Sequence, residues 1–321
     1  MPGIGIIGLG IMGSRMLALF AAHEGFHVVA AWDPGAEACT RTRSAHPGVA
    51  LLASAAAVVE APGVDCVYIA SPPSSHLGHI ALALDAGRAV LCEKPLALDE
   101  AASRTLVARV AATGARAGIN FPQASSPALQ AVAAMLEDGV LGRLERLEID
   151  LAFPCWPESW QVAARWLALR AQGGFVREVV THMAFLARRL LGPLEVVAAQ
   201  IDYPPDGLGA ETAIVARLRA GGLPVELRGV VREGIAECTD WTLSGSDGAC
   251  RIHDWYSLSR RLGQDWSPVD LGPGAARDAA YRAQLDAVLA MIAGRPSTVA
   301  TVREGFDVQC CIEALLARAK P

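Results

Sequence analysis

Runs of charge of one sign are missing from this sequence. Its 28 lysines and arginines are outnumbered by 33 aspartates and glutamates, for a net charge of −5, and the basic residues nowhere form a block. Binding to a phosphate backbone needs such a block, so nucleic acid is not an expected partner. Long apolar runs are also missing. The most apolar stretch, residues 49–59, contains Ser54 and falls short of the roughly 18–20 residues that cross a bilayer, so no membrane association is expected. The opening Met1-Pro2-Gly3-Ile4-Gly5 lacks the basic region and cleavage site of a secretory leader, which makes cytoplasmic the expected address.

Cysteine pairs at metal or redox spacing are absent too. The eight cysteines (Cys39, Cys66, Cys92, Cys155, Cys238, Cys250, Cys310 and Cys311) form no C-x-x-C and do not cluster with histidine. Reduced thiols used as small core residues are expected. No acidic cluster suits a divalent ion and no G-x-S-x-G elbow carries a nucleophile, so the expected metal is none.

What is present is apolar residue: 52% of 321, against 19% charged. That composition describes a well-buried globular chain, and its length favours two domains. From Gly3 to Asn120, short β-rich runs alternate with Ala- and Leu-rich stretches of helical length. Strands are expected at Ile4–Ile7, His27–Trp32, Val64–Ala70, Ala89–Cys92 and Arg116–Ile119, and helices at Ile11–Glu24, Ala36–Ala45, Ser75–Ala86 and Glu100–Ala112. This βα alternation predicts a doubly wound parallel sheet over residues 1–121.

Beyond Phe121 the rhythm changes. A helix near Pro127–Asp138, a strand at Arg143–Phe153 and a helix ending at Leu191 precede alternating strands such as Ala213–Arg219 and Val225–Arg232. Two helices, near Arg277–Ala293 and Arg303–Ala317, close the chain. Alternation with one charged face predicts, for residues 122–321, an α+β domain with a mostly antiparallel open sheet.

Gly8-Leu9-Gly10-Ile11-Met12-Gly13 lies directly after the first strand and before the first helix. Gly8 permits a tight turn, Gly10 lets the backbone approach a pyrophosphate, and Gly13 lets helix and strand pack; Ile11 and Met12 open a helix whose N–H groups face the phosphates. This is the Rossmann dinucleotide fingerprint. Asp33 follows Gly13 by 20 residues at the end of the second strand, where a carboxylate accepts ribose hydroxyls and repels a 2′-phosphate, favouring NAD. Arg41 and Arg43 keep NADP open as the second choice.

With Gly8 to Gly13, then Ser71-Pro72-Pro73-Ser74-Ser75-His76, then Cys92-Glu93-Lys94-Pro95, then Gly173-Gly174 through Glu178 and His182 to Phe185, the chain resembles the Gfo/Idh/MocA family of sugar and cyclitol oxidoreductases. The resemblance runs over most of the chain and implies that Lys94 reaches the substrate hydroxyl or carbonyl, and that His182, with the acid four residues before it, completes proton transfer. It places Ser71, Pro72, His76, Glu93, Lys94 and Asn120 with the cofactor. It also implies a homodimer or homotetramer built on the second sheet's outer face. Hydride transfer from a secondary alcohol requires the hydroxyl proton to leave, and an ammonium and an imidazole suit that task.

Three positions depart from the family pattern. Glu178 stands where an aspartate is usual, Phe185 where a second acid is frequent, and Phe121-Pro122 where an arginine is common. Trp156, Trp160 and Trp166 cluster ahead of Gly173, so Trp156, Trp160, Trp166 and Phe185 are candidates for lining a less polar pocket. The expected activity is interconversion of a secondary alcohol and a ketone on a sugar, sugar derivative or cyclitol. A reductase of a less polar carbonyl or imine, and a dinucleotide-sensing protein without turnover, are the alternatives.

Overall fold

The computed structural model describes residues 1–318 and has two compact units, each with its own sheet. The first begins with β1 (Gly3–Ile7), α1 (Ile11–Ala22), β2 (His27–Trp32), α2 (Ala36–Ala45), β3 (Ala50–Leu51) and α3 (Ala55–Glu60). It continues with β4 (Cys66–Ile69), α4 (His76–Asp85), β5 (Ala89–Glu93), α5 (Glu100–Thr113) and β6 (Ala117–Asn120). β3 and α3 fall where the apolar pattern predicts no element; Ser54 starts α3, its hydroxyl accepting the Ala57 N–H at 3.1 Å. β1, β4 and β5 are buried at every residue, as strands covered on both faces must be, and that is why they read as apolar runs, broken only by Glu93 at the end of β5.

The second unit contains α6 (Pro127–Glu137), β7 (Leu144–Phe153), α7 (Thr181–Leu191), β8 (Leu194–Asp202), β9 (Ala213–Ala220), β10 (Leu223–Val231) and β11 (Cys238–Gly245). β12 (Ala249–His253), β13 (Ser257–Arg261), β14 (Ser267–Pro268), α8 (Ala276–Ile292), β15 (Ala300–Thr301) and α9 (Val302–Arg318) complete the chain. Its eight-stranded sheet runs β14-β13-β12-β11-β7-β10-β9-β8, antiparallel except where β10 lies parallel to β7. β9 alternates buried and exposed along most of its length, so one face forms a core with α7 while the other carries charge. On that open face Arg228 meets Asp150, its register partner across β10 and β7, at 2.8 Å.

The units do not divide at a single boundary. The first comprises Met1–Phe121 and Gln284–Phe306, the second Pro122–Ala283 and Asp307–Pro321, and residues 319–321 of the expected second domain lie outside the described residues. The returning segment adds β15 antiparallel to β6, pairing Ala300 with Ile119. The first sheet therefore runs β15-β6-β5-β4-β1-β2-β3, parallel but for that edge. No described helix is long and apolar enough to cross a membrane.

All eight cysteines are free. Cys66, Cys92, Cys250 and Cys311 fit the expected core role; burial pushes the Cys66, Cys250 and Cys311 thiols up to about 12. The expectation fails for Cys155, which is exposed, and is only partly met by half-buried Cys39, Cys238 and Cys310.

Candidate active site

In the first unit the glycine loop is shaped by contacts that tolerate no side chain. Gly8 has φ of +96°, and a Cβ there would lie 2.6 Å from the Ala70 carbonyl; at Gly13 it would lie 1.9 Å from the Gly8 oxygen. Gly10 differs: a Cβ there would meet nothing within 4 Å. Two glycines thus serve packing, and the third leaves open space at the N-terminus of α1, whose first turn has no acidic residue and no side-chain cap. An open, uncapped helix start with free N–H groups fits a pyrophosphate. Asp33 closes the loop from the end of β2, its carboxylate accepting the N–H groups of Leu9 and Gly35, each at 2.7 Å. An ionised carboxylate offers further lone pairs, so ribose hydroxyls can be received as well. Arg41 and Arg43 are exposed on α2.

The next two strand ends are tied to each other. After β4, the stretch Pro73–Ser75 forms one 3-10 turn and His76 begins α4. Ser75 stands at the N-cap of α4 without capping it; its hydroxyl donates to the Pro72 carbonyl at 2.8 Å and lies 2.7 Å from the Ser71 hydroxyl. His76 is wholly buried, with Nε2 2.8 Å from the Ser71 carbonyl and Nδ1 2.9 Å from the Pro95 carbonyl. A neutral ring donates to one of these at a time, and burial holds this imidazole below its ordinary pKa despite the carbonyls around it.

Lys94 follows β5 directly and is half-buried; the Lys94–Pro95 peptide is cis. The residue before it is anchored. Buried Glu93 accepts hydrogen bonds from the Tyr68 hydroxyl and the Asn120 side-chain amide, and Gln284 of α8 donates to the Asn120 side-chain carbonyl. Lys94 thus stands between a carboxylate fixed from β4 and β6 and a carbonyl beside His76. Such double anchoring holds a side chain's starting point to a small volume.

In the second unit Gly173 and Gly174 allow close approach again. A Cβ at Gly173 would sit 2.4 Å from the Trp166 carbonyl oxygen, and Gly174, at φ +107°, would meet Glu211 Oε2 at 2.4 Å. That buried carboxylate accepts the Val176 N–H at 3.2 Å. Arg177 grips Glu313 through two nitrogens at 2.7 and 2.9 Å and donates to the Arg170 carbonyl at 2.7 Å. The helix that follows is not uniformly α: Val176–Val180 is π-helical and α7 starts at Thr181. A π turn is wider, so Glu178 and His182 are rotated relative to one another from the regular α spacing that the sequence suggests.

His182 Nδ1 lies 3.2 Å from Gln123 Oε1. An amide oxygen accepts only, so at this contact the ring donates from Nδ1, and whenever the ring is neutral its lone pair lies on Nε2. The ring also packs nearly perpendicular to Trp255, centroids 5.6 Å apart. Phe153, Trp156, Phe175 and Trp255 form a chain of ring contacts at 5.7 to 6.5 Å, and the Trp156 indole donates to the Leu167 carbonyl at 3.0 Å. Of the other aromatic candidates, Trp166 is half-buried, Trp160 is 47% exposed, and Phe185 is fully buried with the Arg189 guanidinium 5.1 Å from its ring.

Residues 3–121 match the family model described as an oxidoreductase family NAD-binding Rossmann fold, and residues 129–251 match the GFO/IDH/MocA C-terminal domain. The chain belongs to the Gfo/Idh/MocA oxidoreductase family. Inositol 2-dehydrogenase of Streptomyces avermitilis is 28% identical over 264 residues, covering 80% of this chain and 74% of that one. An oxidoreductase from Agrobacterium radiobacter, solved with NAD+, L-tartaric acid and magnesium, has the same fold at a TM-score of 0.86 and 17% identity, over 99% of this chain and 96% of that chain. Aldose-aldose oxidoreductase from Caulobacter crescentus superposes at 0.83 with 22% identity, over 99% and 97%.

Four contact residues escape the sequence reading: Tyr68 and Gln284, which hold Glu93 and Asn120 in the first unit, and Gln123 and Trp255, which meet His182 in the second. Tyr68 is hidden in an apolar strand and Gln284 lies 164 positions from the asparagine it holds. Only Gln123 stood near a visible signal, the Phe121-Pro122 departure.

Proposed function

We propose that this family member is an NAD-dependent dehydrogenase that interconverts a secondary alcohol and a ketone on a small ring, a cyclitol or a sugar. The observation that carries the reading is the double anchoring of Lys94, with Glu93 gripped by Tyr68 and Asn120 on one side and the Pro95 carbonyl beside His76 on the other. A surface lysine needs no such support. The name of the Streptomyces avermitilis relative, an inositol dehydrogenase, supports the cyclitol as first choice.

When bound, the nicotinamide accepts or returns the hydride. Gly8, Gly10 and Gly13 would hold its pyrophosphate and Asp33 its adenosine ribose, and the Asp33 carboxylate favours NAD over NADP. The Lys94 ammonium meets the developing alkoxide charge with a proton donor, and His182 Nε2 carries the lone pair that takes up a proton. Gln123 sets the tautomer that makes Nε2 the accepting atom, and Glu178 contributes a carboxylate one turn before His182.

The test is turnover of myo-inositol and of D-glucose with NAD and with NADP, in the wild type and in Lys94→Ala. Wild-type turnover with NAD, falling by about 10³-fold in the variant while NADH still binds, is expected. Equal turnover in the variant removes Lys94 from the mechanism. Tight NADH binding without turnover of any polyol leaves a dinucleotide-sensing protein in place of the enzyme.

A further inference from the structure

The turn between β12 and β13 carries a feature its sequence does not require. Asp254 and Trp255 have φ of +48° and +69°, the two positive values among the described non-glycine residues. Hairpin turns fill such positions with glycine, asparagine or aspartate, because a β-carbon crowds the backbone there. Asp254 obeys that rule. Trp255 breaks it with the bulkiest side chain, and a bulky residue in this region is an outlier that surrounding structure must hold in place.

The holding contacts are on view. The Trp255 N–H donates to the Thr239 hydroxyl at 3.1 Å, its indole N–H donates to Glu237 Oε1 at 3.1 Å, and the Tyr256 N–H closes the turn on the Asp254 carbonyl at 2.8 Å. With both N–H groups engaged, the rings are fixed. They stand at 87° to His182 with centroids 5.6 Å apart, and at 6.3 Å from Phe153. The strained backbone therefore delivers an aromatic surface to the imidazole assigned the proton.

We propose that Trp255 is a specificity-determining residue: its indole walls the space beside His182 and selects substrates that present a rigid, flat C–H face, rings rather than open-chain polyols. Aromatic faces pack against apolar C–H surfaces, and a ring presents such a surface without the ordering cost that an open chain incurs on binding. This inference rests on the dehydrogenase reading above and adds the feature of the substrate that is recognised.

The experiment compares kcat and KM for myo-inositol and for the open-chain polyol D-sorbitol, with NAD, in the wild type, Trp255→Gly, Trp255→Leu and Trp255→Phe. Glycine suits the positive φ, so Trp255→Gly is expected to melt within about 4 °C of the wild type. Its KM for myo-inositol should rise about tenfold, and its preference for the ring over sorbitol should fall by a similar factor. Trp255→Phe should recover most of that preference and Trp255→Leu little of it. Unchanged preference in Trp255→Gly overturns the inference and leaves the dehydrogenase intact. If Trp255→Gly fails to fold, equal preference in the Phe and Leu variants overturns it instead. If the wild type turns over D-glucose but not myo-inositol, D-glucose serves as the ring in the same comparison; a wild type that turns over none of the three overturns the dehydrogenase reading, and this inference with it.

Discussion

Lys94 in the first unit follows a strand buried along its whole length, at the carboxyl end of a parallel sheet, where ligands of such sheets bind. His182 in the second unit sits just past a π-helical turn on an amphipathic helix, and Gln123 and Trp255, which meet its ring, come from elsewhere in the chain. The first group is placed mainly by the strand it follows. The second is placed by side chains brought up from distant segments. A group of the first kind is sensitive to what happens at its own turn, whereas the second is sensitive to substitutions far away in sequence.

Removing Lys94 itself should test the first half of that contrast most severely. Lys94→Ala is expected to lower kcat/KM by about 10³-fold, within the range for loss of general acid–base catalysis, with NADH affinity nearly unchanged by fluorescence titration. For the distant support of His182, Gln123→Ala should lower kcat by about tenfold to a hundredfold in steady-state assays, as loss of orientation at a reacting group does, without changing the melting temperature to match. If Gln123→Ala matches the wild type, His182 is not placed from afar and the contrast breaks.

Glu93→Ala sharpens the comparison from the other side. It removes the carboxylate that accepts from the buried Tyr68 hydroxyl and the Asn120 amide, and a loss of about 2 kcal/mol in urea unfolding is expected together with impaired turnover. A smaller effect attaches to His76. Burial lowers its pKa in the fold, so below 6.5, the ordinary value, the unfolded chain takes up a proton that the folded chain resists. Stability is then unaffected above that pH and falls as the solution is acidified through it. His76→Gln should show a flatter decline than the wild type when melting temperatures are compared between pH 7.5 and 5.5. His79, also lowered by burial, contributes in the same direction and stays in both proteins. At the open sheet face, Arg228 pairs with Asp150 and Glu226 while half exposed; Arg228→Ala should cost less than about 1 kcal/mol by chemical denaturation.

The first unit was the more legible of the two. Its glycine loop, strand ends and the Glu93-Lys94-Pro95 turn are contiguous stretches, and the structure gives Gly8 and Gly13 the steric constraints the spacing implies. The misses have particular causes. β3 and α3 are short and lie in an apolar stretch with no clear period. The π turn before His182 looks like any helix in sequence, since its letters follow no separate pattern. Trp255 occupies a position where turn chemistry predicts glycine, so no local rule could have marked it as a neighbour of His182.

By itself the sequence determined the turn that cradles a dinucleotide, the parallel sheet beneath it and the strand end that bears Lys94, because each depends on spacing within a few residues. Only the tertiary structure decided that Glu93 is held by Tyr68 and Asn120, that Gln284 returns to brace that asparagine, and that Gln123 and Trp255 meet His182. Those meetings depend on which distant segments the sheets bring side by side, and nothing in the local pattern of side chains encodes that adjacency.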